Sequence, residues 1–279
     1  MARYSEKQNP VLRGVVYLFV IVCSITMLFP FAWMLSASFK TENEVFEVPL
    51  RWIPKAFHWE NYVLIWQRIK FLTYYMNTVK LTVIITIIQL VTSSLAAYAF
   101  AKVKFPERNT LFLAYIGTIA VPFQVVMIPQ FMIMKTFGLS NTHMALILLQ
   151  SFSAFGVFLL RQFYTGIPEE LSESARIDGL NEFGIYRKII LPLSKPAMAT
   201  LTIFTFVFVW NDFLGPLIYL SSDSKKTIQL GIRRFISEYS ASYELIMAAS
   251  VCALVPVVIV FLAAQRFFIE GIATTGLKG

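Results

Sequence analysis

Long uncharged apolar runs constrain the fold of this chain more than any other feature. Residues 14–39 contain no charged side chain, and further apolar runs follow along the sequence. A helix needs about 20 apolar residues to cross the hydrocarbon core of a bilayer. Helices also satisfy their own backbone hydrogen bonds, which lipid cannot do. Because only 14% of the residues are charged and 57% are hydrophobic, the sequence predicts an all-α integral membrane protein.

The apolar runs predict six transmembrane helices within a single membrane domain that covers residues 1–279. The first run is longer than the apolar core of a secretory signal, so we expect it to be an uncleaved span. Pro122 and Pro129 interrupt the third run, and we expect a kinked helix that lines a pathway. The predicted spans are residues 14–39, 77–101, 109–134, 143–163, 197–220 and 245–266.

The charges predict the orientation of the chain and exclude one class of partner. The net charge is +8, but lysine and arginine flank the apolar runs rather than forming a basic patch, so we expect no nucleic-acid partner. The short loop at residues 102–108 is basic, and such loops stay in the cytoplasm. We therefore expect a multi-pass protein of the cytoplasmic, or inner, membrane with both termini in the cytoplasm and with lipid around its spans.

Residues 166–196 form a polar stretch within this apolar sequence. The pattern predicts two short helices, the first over residues 168–178, where Gly179 stops it as a left-handed cap. Asn181 is placed to cap the second helix and Pro192 to end it. We expect this stretch to be a cytoplasmic loop that meets a soluble partner.

The first of these helices carries mostly small side chains at a spacing of three to four residues. Residues at that spacing share one face of a helix, so a partner surface can approach that face closely. The stripe consists of Leu171, Ser174, Ala175 and Asp178.

A longer motif in the same stretch resembles the EAA loop of the membrane subunits of binding-protein-dependent ABC importers. The pattern spans 20 positions, with Ser174 and Leu180 in place of alanines and Tyr186 in place of phenylalanine. A fixed constellation of that length is far more specific than a short motif. The matching positions are Glu173, Ser174, Ala175, Asp178, Gly179, Tyr186, Ile189, Leu191 and Pro192.

The resemblance implies a permease subunit that moves a sugar or oligosaccharide across the cytoplasmic membrane. Its implied partners are a homologous second permease, two ATPase subunits and an extracytoplasmic sugar-binding protein. ATP would be bound by the ATPase subunits, so this chain needs no cofactor of its own. In this family the EAA loop is the coupling helix that docks on the ATPase, which assigns ATPase coupling to Glu173, Ser174, Ala175, Asp178, Gly179 and Leu180.

Two further segments resemble the carbohydrate branch of this family. The sequence from Trp52 to Pro54 is similar to part of its first external loop. The end of the chain is similar to the short extension of the second membrane subunit in maltose-type importers, which reaches the ATPase pair. That likeness implies an ATPase contact at Gly276, Leu277 and Lys278.

Trp210, Asn211 and Asp212 lie within the fifth predicted span. An ionisable side chain at that depth is costly unless it has a partner, and such residues mark functional sites in membranes. One interpretation is a polar step in a sugar pathway, in which the amide and carboxylate bind hydroxyl groups and the indole stacks on a sugar. The other is a network of hydrogen bonds between helices at the subunit interface. The resemblance also covers this tripeptide, and both interpretations stay open.

Several functions are excluded or left as alternatives by the sequence. No stretch matches a phosphate-binding P-loop, and no cluster of catalytic or metal-binding residues occurs, so we expect a transport subunit and no enzyme. Cys23 and Cys252 both lie in apolar runs and are expected to be core residues. The alternative function is an ion-gradient-driven secondary transporter. Permeases for polyols, glycerol phosphate or acidic oligosaccharides would share the same features.

Overall fold

The fold is helical throughout the part of the chain that the structure describes. The structure is a computed structural model, and it describes residues 10–236 and 241–275. Within those residues the β-structure amounts to one isolated bridge between Ile236 and Ala241. The expected all-α class is confirmed. The helices are α1 (Pro10–Ala37), α2 (Glu42–Val45), α3 (Glu60–Arg68), α4 (Phe71–Lys102), α5 (Arg108–Gly117), α6 (Phe123–Thr136), α7 (His143–Gln150), α8 (Ala154–Thr165), α9 (Glu170–Ile177), α10 (Glu182–Ile185), α11 (Leu191–Leu193), α12 (Lys195–Trp210), α13 (Leu214–Tyr219), α14 (Ile228–Arg233) and α15 (Tyr243–Thr275).

Four helical segments of the described chain are long and apolar enough to cross a membrane. They are Val11–Ala37, Phe71–Lys102, His143–Thr165 and Tyr243–Gln265. Two bent pairs of helices raise the number to as many as six when each pair is counted as one span. The first pair, Arg108–Ala120 and Phe123–Thr136, covers the third predicted span. The second pair joins Glu182–Leu193 of the polar stretch to Lys195–Trp210, which contains the first part of the fifth predicted span.

The third predicted span is broken far more sharply than a proline kink. Arg108–Ala120 and Phe123–Thr136 meet at an angle of 100°. Val121 adopts an extended backbone, as a residue before proline is forced to do, and Pro122 is the N-cap of α6. Pro129 lies inside α6 without ending it. The two prolines therefore do not share one kinked rod, and both side chains are exposed.

The fifth predicted span is also interrupted. Helix α12 ends at Trp210, a short non-helical segment contains Asn211 and Asp212, and α13 begins at Leu214. The amide side chain of Asn211 donates to the carbonyl of Val207 at 2.9 Å. That bond satisfies one of the carbonyls that a helix leaves open at its C-terminal end, and so the polar tripeptide ends the helix instead of continuing it.

The described chain forms two compact units. One comprises residues 1–69 and 232–252. Within it, the side-chain amide of Asn61 in α3 donates to the carbonyls of Ser38 and Lys40 just after α1, at 3.0 and 2.8 Å. Lys40 donates to the carbonyl of Arg51 at 2.6 Å and lies 4.0 Å from the centre of the Trp33 ring. These contacts fasten the segment after α1 to α3.

The other unit comprises residues 70–231 and 253–279 and is built around α4. Helix α4 packs along α8 and α12. At Gly156 in α8, an added Cβ atom would lie 2.6 Å from the Ser93 hydroxyl of α4, so the two backbones approach as closely as a glycine allows. The buried face of α4 is rich in polar side chains, namely Thr78, Thr82, Thr86, Gln89, Ser93 and Ser94.

Candidate functional site

Helix α9 lies at the centre of the polar stretch and has a defined beginning and end. It begins at Glu170, two residues later than the sequence predicts, because the carbonyl of Glu169 accepts the first helical hydrogen bonds. At the other end Gly179 has φ +81°. The backbone N–H of Leu180 donates to the carbonyl of Ala175, and that of Gly179 donates to Arg176, both at 3.0 Å. This is the Schellman pattern, which confirms the predicted glycine cap.

The expected stripe of small side chains does not form one outer face of α9. Ala175 is only 3% exposed and packs in the core of its own chain, so the expectation that it packs against a partner is wrong. Leu180 is also half-buried against that core. Glu173, Ser174 and Asp178 are exposed. Gly179, which shapes the turn, is exposed as well. Four of the six residues assigned to coupling are therefore accessible.

Two large apolar side chains of this loop are exposed and were not assigned a role from the sequence. Ile177 is 86% exposed and Phe183 is 62% exposed. Ile177 lies about 200° around the helix from the buried Ala175, a signal that the sequence already contained. Ile177 is an apolar side chain on a polar loop, so it is a candidate contact for a partner protein.

The second helix of the loop continues past Pro192, contrary to expectation. A π-helical turn at Tyr186–Ile190 follows α10, and α11 then carries Pro192 in its first turn. A proline removes one N–H donor, and its ring crowds the carbonyl of the preceding turn. The wider π-turn just before it changes the hydrogen-bond register at that point. The chain bends by 77° between Leu193 and Lys195. Asn181 does cap this helix, since its side chain accepts from the N–H of Gly184 at 2.8 Å.

Ion pairs hold the two helices of the loop together. Arg176 in α9 contacts Glu182 in α10 at 3.0 Å and Glu169 at 3.4 Å. The Tyr98 hydroxyl of α4 donates to Glu182 at 2.7 Å. This hydrogen bond and the neighbouring Arg176 charge hold the pKa of Glu182 below its usual range, and the Glu182 contact raises the pKa of Arg176. Both groups are therefore charged at neutral pH.

A polar cluster lies among the helix breaks of the same unit. Asp212 accepts hydrogen bonds from the Gln150 side chain at 2.7 Å and from the N–H of Gly215 at 3.1 Å. Gln89 of α4 donates to the Gln150 carbonyl at 2.9 Å and accepts from Thr205 at 2.5 Å. Asp212 thus has partners on two other helical segments of its own chain. Hydrogen bonds between helices are therefore present within this chain, and the expected location of the network at a subunit interface stays a prediction.

The geometry around Trp210 and Asp212 argues against the sugar-pathway interpretation of this tripeptide. Trp210 is 1% exposed, its indole N–H donates to the carbonyl of Ala253 at 2.9 Å, and its ring stacks on Phe206 at 5.5 Å. The indole is therefore not available to stack on a sugar, contrary to that expectation. The cavity beside Asp212 and Gln150 has a volume of about 10 Å³, which holds at most one water molecule. Of the three residues, Asn211 is exposed.

We expect Trp210→Phe to destabilise the protein. The smaller ring leaves the buried carbonyl of Ala253 without its donor, which costs about 1–3 kcal/mol in the free energy of unfolding. Thermal denaturation of the purified protein in detergent measures this. Trp59→Phe is the control, because the Trp59 side chain is 64% exposed. An unchanged denaturation temperature together with weaker sugar binding would contradict the core role of Trp210.

The tail residues Gly276, Leu277 and Lys278 lie outside the described residues. Their expected ATPase contact stays a prediction.

The chain is similar to known proteins over most of its length. Residues 89–273 match the family model described as "Binding-protein-dependent transport system inner membrane component". The matched range begins within α4 and contains both the polar stretch at residues 166–196 and the polar cluster around Asp212.

Two relatives are similar over nearly all of their length. The chain is 33% identical over 278 residues to the arabino-oligosaccharide transport permease AraQ of Halalkalibacterium halodurans, covering 99% of this chain and 100% of that protein. It is 34% identical over 244 residues to the lactose transport permease LacG of Rhizobium radiobacter, covering 88% of this chain and 89% of that protein.

One solved structure shares the fold. It is a bacterial ABC transporter involved in the import of the acidic polysaccharide alginate, and its matching chain superposes with a TM-score of 0.81. The match covers 96% of this chain and 100% of that chain at 24% sequence identity. The superposition supports the arrangement of helices described above.

Proposed function

This chain belongs to the family of binding-protein-dependent transport system inner membrane components, and from that premise we propose that it is the permease subunit of an ATP-driven importer of sugars or oligosaccharides. It is a transport subunit and not an enzyme. The named substrates of the relatives support the carbohydrate class. The alternative of an ion-gradient-driven transporter finds no support, because the family depends on a binding protein.

The observation that carries the proposal is the exposed surface of α9. Glu173 and Asp178 are accessible acids, and Ile177 beside them is an accessible apolar side chain. In the proposal this surface docks into a cleft of an ATPase subunit, where Glu173 meets a basic residue and Ile177 enters an apolar pocket. Desolvated apolar anchors supply most of the energy of such interfaces.

The rest of the assembly follows from this role. We propose a second permease that is homologous to this chain, two ATPase subunits that bind ATP, and an extracytoplasmic sugar-binding protein. The spans predicted from the sequence would form one permease domain with both termini on the cytoplasmic side. Closure of the ATPase pair would then move the helices as rigid bodies and open the pathway alternately to the two sides.

Uptake into proteoliposomes tests the proposal. The complex is purified through an internal affinity tag, reconstituted with its binding protein, and supplied with labelled arabino-oligosaccharides, lactose, alginate oligosaccharides or sn-glycerol 3-phosphate. We expect uptake of at least one carbohydrate that requires ATP and persists when the ion gradients are dissipated. Uptake that needs an ion gradient and no ATP would overturn the proposal. Uptake of glycerol phosphate alone would overturn the carbohydrate class.

A further inference from the structure

Three polar side chains on the last turns of α4 contact the polar stretch at residues 166–196, which we call the coupling loop after its proposed role. Ser94, Tyr98 and Lys102 are spaced by four residues, so they share one face of α4, and we call them the α4 seam. Ser94 and Tyr186 share a hydrogen bond of 2.9 Å between their hydroxyl groups. Tyr98 donates to Glu182 at 2.7 Å. Ser94 and Tyr98 thus contact Tyr186 and Glu182, two loop residues that are also four positions apart.

Lys102 forms the end of the seam and joins α4 to the start of α9. Its ammonium donates to the carbonyl of Ile167 at 2.7 Å and to the Glu169 carboxylate at 3.2 Å. The Lys102 side chain is only 4% exposed. A buried charge is retained only where partners compensate for its lost hydration. The contact therefore holds the loop in one place, because a displacement of the segment that carries Ile167 and Glu169 would take both partners away from the buried lysine.

The same helix reaches the polar cluster. Helix α4 runs unbroken for 32 residues, or about 48 Å. Gln89, which lies little more than one turn before Ser94, contacts the break after α7 and also Thr205 in α12. The helices that correspond to the third and fifth spans are interrupted in this unit. Helix α4 is thus the continuous element between the coupling loop and the intramembrane hydrogen bonds.

Apolar packing also joins α4 to the loop, but it fixes the geometry less tightly. Ala97 of α4 and Ile185 of α10 belong to one core cluster. Apolar contacts are non-directional and tolerate a shift of one surface over another, whereas hydrogen bonds weaken steeply when their angle changes. The seam supplies the directional contacts between the two elements.

We propose that the α4 seam makes the coupling loop and α4 move as one rigid body, and that Tyr98 and Lys102 are positioning residues for the coupling of ATP hydrolysis to transport. This inference rests on the proposed function, since it names the helix that receives the movement of the ATPase. A loop that is detached from α4 would still bind the ATPase. Its movement would then be absorbed at the loosened contact, and ATP would be hydrolysed without transport.

Tyr98→Phe in the complete complex tests the proposal, because it removes one hydroxyl and keeps the ring. The readout is the ratio of sugar transported to ATP hydrolysed, measured with whichever sugar of the panel above the unmodified complex carries. The loss of this hydrogen bond weakens the contact between α4 and the loop, and we expect the ratio to fall about three- to tenfold. We expect the complex to assemble normally and to continue to hydrolyse ATP. Tyr115→Phe is the matched control, because the Tyr115 hydroxyl has no hydrogen bond among the described residues.

A double-mutant cycle separates the seam from a general structural effect. Glu182→Gln weakens the same contact from the loop side, and the Glu182 side chain is 47% exposed, so this variant does not disturb the core. We expect the double variant Tyr98→Phe with Glu182→Gln to be no worse than the more severe single variant. Two outcomes would overturn the proposed role of the seam. One is a transport ratio in the double variant that falls by the product of the two single losses, and the other is an unchanged ratio in both single variants. Failure of the unmodified complex to assemble or transport would instead count against the proposed function.

Discussion

Replacement of Gly179 by valine is expected to lower sugar uptake by about tenfold or more while the chain stays inserted in the membrane. Gly179 has φ +81°, a backbone conformation that costs an L-residue about 1–2 kcal/mol and a β-branched residue more. Space is not the obstacle, since an added Cβ would meet no atom within 4 Å. The backbone strain of the valine variant therefore destabilises the turn that ends α9. Uptake and ATP hydrolysis of the reconstituted complex measure the result.

Two control variants test whether the loss of uptake depends on position 179 and on its backbone conformation. Gly138 has φ +70° and equally open surroundings, so Gly138→Val carries the same strain in a turn far along the chain from α9. We expect it to leave the ratio of transport to ATP hydrolysis unchanged. Gly179→Asn should retain most uptake, because asparagine tolerates positive φ. Equal losses for valine and asparagine at position 179 would contradict the role of backbone conformation.

Replacement of Ile177 by aspartate is expected to remove the ATPase subunits from the purified complex. The side chain is 86% exposed in this chain, so the substitution leaves its own fold intact. In the proposed interface the new carboxylate would be buried without a partner, and loss of such an anchor costs about 2 kcal/mol or more, which is roughly thirtyfold in Kd. The amount of ATPase subunit that co-purifies through an internal tag measures it.

Ile53→Asp is the matched control for this prediction. Ile53 is 76% exposed and lies in the segment between α2 and α3, away from the coupling loop in sequence. We expect its complex to retain the ATPase subunits. A normal amount of ATPase in the Ile177→Asp complex would show that this side chain is not an anchor.

The sequence predicts the helical class and the glycine-capped end of α9 because those features depend on local chemistry. Apolar runs of sufficient length have few alternatives to membrane helices, and the glycine cap after Asp178 depends on residues within one turn. The capping role of Asn181 is equally local. These predictions agree with the structure because no distant contact competes with them.

The breaks within the spans could not be predicted in the same way. Pro122 predicts a bend, but the 100° angle at that position depends on what surrounds the two halves. In the sequence, Trp210 and Asp212 are both candidates for a polar pathway, because each carries a polar group within an apolar run. In the structure Trp210 is a buried core residue and Asp212 is paired with Gln150, a residue 62 positions away. Long-range pairing of that kind decides the roles of both residues.

The direction of side chains on the coupling loop was also beyond local reasoning. Ala175 and Ser174 are neighbours in a stripe of small residues, yet Ala175 faces the core and Ser174 is exposed. The core against which α9 packs is formed by residues from α4, α8 and α12. A spacing pattern identifies which residues share a face, and only the packed chain shows whether that face is turned towards the protein or away from it.

The most direct test of the central claim is a photo-cross-link from α9 in the native membrane. A photoreactive amino acid replaces the exposed Ile177, and a second variant carries it at Ala175, which is 3% exposed. The cross-linked product is identified by mass spectrometry. We expect the position 177 variant to capture an ATPase subunit with a phosphate-binding P-loop, and the position 175 variant to react within its own chain. Capture of the sugar-binding protein, or of lipid alone, from position 177 would contradict the assignment of α9 as the coupling helix.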